Sequence, residues 1–467
     1  MKQELVITFI IFVLLFVKLG KEETKNETFI NFVNILLTLN LISGFFFQQA
    51  GTLFGDMFRT NELLTFEKNL LNLGTLIISL QSYNWLKDHK HVPEFYILLF
   101  STLLGMFFMI SSNNLLMFYL ALELSTIPLA ALANFDLEKR RSSEAAFKMI
   151  ISSAFSSGLL LFGISMLYGS TGTLSFAELP AHLNGNPLQV FSFILLIAGF
   201  GFKISAVPFH LWTADVYEGS PVAVTSYLSV ISKGAILFVL VSVLYNVFTP
   251  MNESWYNMLF LISVLTMIIG NLFALRQQNM KRFLAFSSIA QVGFILIGIT
   301  GQSTEGSASV IFFVLIYIFS NLAAFGIINL VSAVTGRENV NDYKEFYKTN
   351  PGLSWVLAIA LFSLGGIPPT AGFFGKFFLL LAGAGKARLP GGQGNYLLIT
   401  IAALNMVISL YYYLKVIKAI FMDANENPIE QIKTSWSPRL AMIICVAGII
   451  ITGLMSGAYQ YIYSLVK

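Results

Sequence analysis

Long apolar runs, separated by short polar segments, repeat along the whole chain. An apolar run of about 20 residues is long enough for a helix to cross the hydrocarbon core of a bilayer. The pattern predicts about fourteen such helices in a single membrane domain. The predicted spans lie near 3–19, 28–50, 62–83, 94–111, 113–134, 144–168, 188–207, 221–248, 255–275, 283–300, 308–335, 353–382, 396–421 and 439–463.

The first span is short for a membrane helix and is also typical of a secretory signal peptide. No small-residue cleavage site follows it, because the next residues are the charged stretch KLGKEETKNE. We therefore interpret this run as the first helix.

Basic residues are concentrated in alternate connections between the predicted spans. Residues 139–141 (KRR) follow the fifth span, and Arg276, Lys281 and Arg282 follow the ninth. The connections after the even-numbered spans contain few basic residues. Because cytoplasmic connections are enriched in Lys and Arg, this asymmetry predicts that both termini lie outside the cytoplasm.

Prolines interrupt the seventh and the twelfth predicted spans. Pro208 follows Lys203 in the seventh span, whereas Lys376 follows Pro368 and Pro369 in the twelfth. Proline leaves the carbonyl four residues earlier without its donor, which membranes tolerate only inside protein or beside a wet cavity. The two breaks are five spans apart, and this odd offset reverses the second copy. We therefore predict two inverted five-helix repeats, spans four to eight and nine to thirteen.

Four ionisable residues lie well inside predicted spans: Glu123, Lys203, Lys233 and Lys376. An isolated charge at bilayer depth is unfavourable by several kcal/mol, so such residues need partners and are functional candidates. We expect Glu123 to be the partner of Lys203.

Further polar residues lie in or near the predicted spans. Lys148 follows Glu144 by four residues, which favours either an interfacial ion pair or a role in the buried line. His210 is either a proton-relay imidazole or a hydrogen-bonded residue of the break. Asp215 and Glu218 are expected to be loop residues that shape the break or cap the next helix. Gln291 is expected to form a hydrogen bond between helices.

Composition narrows the class further. The chain is 56% hydrophobic and 11% charged, and its net charge of +4 is too small to suggest a nucleic-acid partner. Soluble domains have about 25% charged residues. The single cysteine, Cys445, cannot form an internal disulfide or hold an iron–sulfur cluster, and no GxGxxG or P-loop motif occurs. We expect no nicotinamide, flavin, haem or metal site on this chain.

Four stretches carry a specific resemblance to a known family. They are RSSEAAFKMIISSAFSSGLLLFGISMLYGSTGTL (141–174), GFKISAVPFHLWTADVYEGSPVAVTSYLSVISKGA (201–235), KRFLAFSSIAQVGFILIG (281–298) and SLGGIPPTAGFFGKF (363–377). They resemble the antiporter-like membrane subunits of proton-pumping NADH:quinone oxidoreductase, respiratory complex I. The resemblance covers roughly residues 100–465 and is greatest to the subunit N branch, because the sister subunit M has a glutamate where this chain has Lys376.

The resemblance implies roles for individual residues. In the family, proton transfer is assigned to positions that match Glu123, Lys203, Lys233, Lys376 and Lys148. Gln291 occupies a position where related subunits often have histidine, so water must bridge there if the path passes it. The family also has fourteen helices with two inverted five-helix repeats. The domains we expect are 1–93, 94–250, 251–422 and 423–467.

The function implied is proton translocation along a buried Glu/Lys/water line, coupled to quinone reduction in partner subunits of a bacterial inner-membrane complex. NADH, FMN, iron–sulfur clusters and quinone are expected in those partners, not on this chain. The expected neighbours are other antiporter-like and small membrane subunits, the peripheral redox arm indirectly, and lipids. In such a membrane both termini would be periplasmic. The alternatives are a subunit of a multi-subunit cation/proton antiporter, a secondary solute transporter and a non-pumping scaffold.

Overall fold

The computed structural model describes residues 1–20, 25–46, 50–385, 395–455 and 457–467. Helices form nearly all of this described chain, and eleven of them are long and apolar enough to cross a membrane. The predicted class, an all-helical membrane protein, is confirmed. The count of about fourteen spans and the inverted repeat stay predictions. The predicted spans 28–50 and 439–463 each include residues outside the described ranges.

The N-terminal part combines helices with a short β-hairpin. Its elements are α1 (Lys2–Leu19), α2 (Asn26–Phe46), β1 (Gly51–Leu53), β2 (Phe58–Thr60), α3 (Glu62–Gln81) and α4 (Tyr83–Leu86). The strands pair antiparallel, with Gly51 opposite Thr60. Asn61 caps α3 by accepting a hydrogen bond from Leu64 N at 2.8 Å.

The next part carries the first interruption. Its helices are α5 (Val92–Ile110), α6 (Leu115–Ala133), α7 (Arg140–Thr171), α8 (Leu179–His182), α9 (Pro187–Ile204), α10 (Leu211–Gly219), α11 (Val222–Tyr227) and α12 (Lys233–Asn246). A π-helical turn, Leu228–Ser232, joins α11 to α12, and Lys233 follows it directly. Such turns often occur at functional positions of helices.

The C-terminal part carries the second interruption. Its helices are α13 (Asn252–Ala274), α14 (Met280–Thr300), α15 (Thr304–Thr335), α16 (Phe346–Thr349), α17 (Pro351–Gly365), α18 (Ala371–Ala384), α19 (Tyr396–Phe421), α20 (Trp436–Leu454) and α21 (Gly457–Val466). Two short 3₁₀ turns, Thr249–Met251 and Val340–Tyr343, lie in the connections before α13 and α16.

Both interruptions end their first helix in the same way. Ser205 follows α9 and Gly366 follows α17, with φ values of +63° and +83°. The next amide then donates to the carbonyl five residues earlier, at 2.8 Å after α9 and 3.0 Å after α17. This left-handed cap stops a helix cleanly, and the prolines that follow prevent it from restarting at once.

Two helices, α14 and α15, lie at the centre of the molecule. The apolar windows of both are completely buried, whereas those of α2, α7 and α13 are mostly not. Close approach of α13 to α14 depends on glycine: a Cβ at Gly293 would lie 2.5 Å from Met267 Cγ, and one at Gly270 would lie 2.6 Å from Ala290 N. Small residues permit such contacts between membrane helices.

The molecule has two polar faces at its opposite ends. On one, which we call the hairpin face, Arg59 N donates to Ser111 O at 2.8 Å, so the hairpin packs against the connection after α5. On the other, which we call the basic face, Met280 N donates to Glu338 O at 2.7 Å, between the connections after α13 and α15. The basic runs 139–141 and 276–282 belong to this second face.

Candidate functional site

Lys203 lies in the last turn of α9, where the first interruption begins. Its Nζ donates hydrogen bonds to Thr126 Oγ1 at 2.7 Å and to Ser153 Oγ at 3.0 Å. Thr126 is three residues after Glu123 on α6, so the carboxylate is about one helical turn away.

Glu123 and Lys203, which we expect to be partners, do not form an ion pair in this structure. Among the described residues the ammonium donates to the two hydroxyls instead, and Glu123 Oε1 has no hydrogen-bond partner. The two residues are neighbours along α6 and α9 without being in contact.

Lys233 is the second buried ammonium, and only 3% of the residue is exposed. Its Nζ donates to Ser288 Oγ of α14 at 2.8 Å and lies 5.4 Å from the centroid of the Tyr217 ring. Among the described residues it has no carboxylate partner, so a hydroxyl and an aromatic face are its polar neighbours.

Lys376 is held by backbone carbonyls that the second interruption leaves free. Its Nζ donates to Leu364 O at 2.9 Å and to Gly365 O at 3.3 Å. In a continuous helix these carbonyls would accept from residues 368 and 369, but both are prolines and have no amide hydrogen. The Pro-Pro pair therefore creates the acceptors of this lysine.

Gln291 lies next to Lys376 and on the same helix as the partner of Lys233. Its Nε2 donates to Leu364 O at 3.0 Å and to Tyr413 OH at 3.2 Å, while its Oε1 has no partner among the described residues. Ser288 precedes it by three residues, which places both on one face of α14. One helical turn of α14 thus connects the surroundings of Lys233 with those of Lys376. The interhelical hydrogen bond expected for Gln291 is present.

Lys148 belongs to a network of charges on the basic face. Its Nζ lies 2.7 Å from Asp215 Oδ2 and 2.8 Å from Glu144 Oε1. Arg282 of α14 lies 2.7 Å from Asp215 and 2.8 Å from Glu218. The expectation that Asp215 and Glu218 are loop residues is wrong, because both lie in α10 and hold ion pairs there. The side chain of Lys148 is 39% exposed, which agrees with an interfacial position.

His210 is buried at the end of the first interruption, just before α10. Its Nδ1 has no hydrogen-bond partner among the described residues, and no contact with Lys203 or Lys233 is formed. Both interpretations of this imidazole, relay and structural residue, therefore stay open.

Other buried hydroxyl groups near the first interruption also have no partner among the described residues. They are Ser156 Oγ, Ser157 Oγ, Ser205 Oγ, Thr213 Oγ1 and Tyr217 OH. Buried polar atoms are almost always hydrogen-bonded, and ordered water supplies the bond where protein does not. The surroundings of Lys203 and Lys233 are therefore suited to water.

Several buried charges were missed by reasoning from the sequence. Lys281 is 5% exposed and lies 3.1 Å from Glu338, although its place in a basic run suggested a surface residue. Glu4 and Lys68 form an ion pair at 2.5 Å with both side chains buried. Glu67, next to Lys68, is also buried. The available signal was the charged pair 67–68, five residues into an apolar span.

The interrupted helices and buried lysines define a class, the antiporter-like membrane proteins. The family model for the transmembrane part of NADH:quinone oxidoreductase and Mrp antiporters matches residues 112–389, and the chain belongs to this family. Among the described residues no group of three or more His, Cys, Asp or Glu is placed to hold a metal ion.

Relatives with known names and structures agree with this class. The chain is 48% identical to NADH-quinone oxidoreductase subunit N of Phocaeicola vulgatus, over 91% of this chain and 89% of the relative. It is similar to a chain of respiratory complex I from Thermus thermophilus, at 27% identity and a TM-score of 0.83, covering 97% of each chain. A chain of the Mrp complex from Dietzia sp. shares the fold, with a TM-score of 0.85 at 18% identity, covering 100% of this chain and 96% of that one.

Proposed function

We propose that this chain is a proton-translocating membrane subunit of a bacterial NADH:quinone oxidoreductase, and that protons move along Lys203, Lys233 and Lys376. The observation that carries the proposal is the link through α14, where Ser288 accepts from Lys233 and Gln291 shares the Leu364 carbonyl with Lys376. The relative from Phocaeicola vulgatus, named subunit N of that enzyme, supports the assignment to this complex.

The first step takes place at Lys203. Quinone reduction in partner subunits shifts α6 relative to α9 and so changes the distance between Glu123 and Lys203. When the Glu123 carboxylate approaches, it stabilises the Lys203 ammonium. When it moves away, Lys203 releases its proton more readily. Thr126 and Ser153 keep the Nζ in place while this happens, because both hydroxyls accept from it.

The proton then passes to Lys233 through water beside the unpaired hydroxyl groups of the first interruption. In this proposal Tyr217, whose ring centroid lies 5.4 Å from Lys233 Nζ, and His210, whose Nδ1 has no partner among the described residues, orient that water. From Lys233 the proton continues past Ser288 and Gln291 to Lys376. An amide does not titrate, so Gln291 positions water and does not carry the proton itself.

Uptake takes place at the basic face. A polar cavity of about 360 Å³ lies there and is lined by Lys281, Glu338, Glu218 and other residues of the first interruption and α15. The charges of Lys148, Asp215 and Arg282 hold α10 against α7 and α14 beside this cavity. Lys148 acts here as a positioning residue for the interrupted helix.

In the membrane, the chain has a fixed orientation and fixed neighbours under this proposal. Both termini lie on the periplasmic side, the basic face is cytoplasmic, and the chain carries no redox cofactor of its own. Neighbouring membrane subunits cover its flanks, and the redox groups belong to the peripheral arm. Residues 94–250 and 251–422 form the two inverted repeats.

The test compares proton and electron transfer in the assembled complex, embedded in membrane vesicles. Glu123→Gln and Lys203→Ala should lower the number of protons moved per electron, whereas Glu138→Gln, at an exposed glutamate, should leave it unchanged. A full proton-to-electron ratio in both test variants would refute the proposal.

A second candidate is a subunit of a cation/proton antiporter, which the shared fold with the Mrp complex favours. Purification of the chain in mild detergent separates the two. Iron–sulfur subunits that co-purify with it support the oxidoreductase, and their replacement by antiporter subunits supports the alternative.

A further inference from the structure

A second polar cavity, of about 340 Å³, opens at the hairpin face between α3, α12 and α15. Its polar lining residues include Arg59, Glu67, Ser242, Tyr245, Asn246 and Ser307. None of these residues belongs to the lysine line described above. The cavity lies on the opposite end of the molecule from the uptake cavity and contains a buried carboxylate.

The packing of α3 on α12 sets the distance between this carboxylate and the lysine line. Gly74 lies against Ile231, because a Cβ added at Gly74 would be 2.2 Å from Ile231 Cδ1. Gly234 lies against Leu71, because a Cβ added at Gly234 would be 3.6 Å from Leu71 Cδ2. The two helices therefore run antiparallel here. Glu67, four residues before Leu71, lies about 6 Å further toward the hairpin face. Lys233 is adjacent to Gly234, so it is between one and two helical turns from Glu67.

Glu67 is directed away from its charged neighbour on α3. Lys68 contacts Glu4 of α1 on the other side of the helix, at 2.5 Å. In the described part of the chain Glu67 forms no ion pair of its own, although it is only 5% exposed. A buried carboxylate without a bonded counter-ion is unfavourable in a membrane and marks a functional position.

Arg59 lines the same cavity as Glu67. Its guanidinium donates to Ser242 Oγ of α12 at 2.7 Å, and its Nε has no partner among the described residues. Burial lowers the pKa of the Arg59 guanidinium, and the nearby Glu67 carboxylate acts in the opposite direction. The groups that α12 and α15 direct toward the cavity are otherwise uncharged at neutral pH, namely Ser242, Tyr245, Asn246, Thr304 and Ser307.

We propose that Glu67 is a proton-release carboxylate, which gives the lysine line an exit at the hairpin face in addition to the route through Lys376. This inference rests on the proposed function. The Lys233 ammonium gives its proton to water beside α12 and becomes the amine, the Glu67 carboxylate takes that proton and becomes the acid, and release to the cavity restores the carboxylate. Arg59 favours the ionised form and so promotes release.

The first experiment tests whether the cavity is open to water from one side. Cys445 is the only cysteine of the chain, so a Cys445→Ala background carries no other thiol on it. In the assembled complex, Ser307→Cys should react with a membrane-impermeant methanethiosulfonate added at the hairpin face, and not from the basic face. Ser309→Cys, on the same helix but fully buried and away from the cavity, is the control and should stay unlabelled. Absence of labelling at residue 307 from either side overturns the inference.

The second experiment tests the carboxylate itself. Glu67→Gln should assemble and transfer electrons, but move fewer protons per electron than wild type, at a ratio between wild type and Lys203→Ala. Glu67→Asp should keep the wild-type ratio, because it retains a titratable group. Glu62→Gln, at the exposed start of the same helix, is the matched control. If Glu67→Gln does not assemble, the labelling of Ser307→Cys remains the test of whether the cavity is open to water at the hairpin face.

The outcomes separate the two proposals. A wild-type ratio in Glu67→Gln together with a lowered ratio in Lys203→Ala overturns only the release role of Glu67. A wild-type ratio in both variants overturns the proposed function itself.

Discussion

Replacing Gln291 by methionine tests the link between the two halves of the lysine line. Methionine has nearly the same length but no hydrogen-bonding amide. The change removes two hydrogen bonds, of 3.0 Å to Leu364 O and 3.2 Å to Tyr413 OH. Neither partner is left alone, because Leu364 O keeps Lys376 and Tyr413 OH keeps Ser287.

The size of the effect follows from these contacts. Two neutral hydrogen bonds are together worth about 1–3 kcal/mol. If the transition state for proton transfer loses that stabilisation, transfer between Lys233 and Lys376 slows by about 5- to 160-fold. We expect Gln291→Met to lower the proton-to-electron ratio and the rate of coupled electron transfer, whereas assembly stays normal. Gln291→His, which restores a titratable relay, should pump normally.

The assay is proton uptake and release by vesicles containing the assembled complex, with quinone reduction followed in the same sample. Gln431→Met, at an exposed residue of the connection before α20, is the control for the substitution itself. Wild-type pumping by Gln291→Met would show that α14 does not connect the lysines through this side chain.

Three further substitutions test other contacts. Pro368→Ala restores an amide four residues after Leu364, so it should compete with Lys376 for that carbonyl and reduce pumping, measured as the proton-to-electron ratio. Glu4→Gln leaves the buried ammonium of Lys68 unpaired and should destabilise the chain by about 3–5 kcal/mol, visible as thermal inactivation of the purified complex, and Glu4→Gln with Lys68→Met should recover most of this loss. Gly372→Ala should prevent assembly, seen as loss of the complex on native gels, because its Cβ would lie 1.7 Å from a backbone oxygen of α17.

The helical membrane class and the two interruptions could be predicted because both depend on local chemistry. An apolar run of sufficient length is itself evidence for a membrane-spanning helix, and a proline removes a backbone hydrogen bond at any position in a helix interior. The same local rule explains why Leu364 and Gly365 have free carbonyls. The burial of Lys233 and Lys376 follows equally from their positions inside apolar runs.

Most partners of the buried side chains could not be predicted, because they depend on how each helix is rotated against its neighbours. The rotation of α6 presents Thr126 to Lys203 and leaves Glu123 beside it. Asp215 and Glu218 follow the interruption at Pro208 closely, so the sequence did not reveal that a helix resumes at Leu211. Lys281 is buried against Glu338 and the Ser220 carbonyl, both of which are far from it along the chain.

The acceptors of Lys376 have a consequence for how this protein tolerates genetic change. They are main-chain oxygens, so they are present whatever side chains stand at residues 364 and 365. Substitutions at those two positions leave the lysine's acceptors in place, whereas loss of the proline four residues after either one introduces an amide that competes with Lys376 for the carbonyl. The binding site of this ammonium therefore depends on two prolines, which have no amide hydrogen, and not on the side chains at residues 364 and 365.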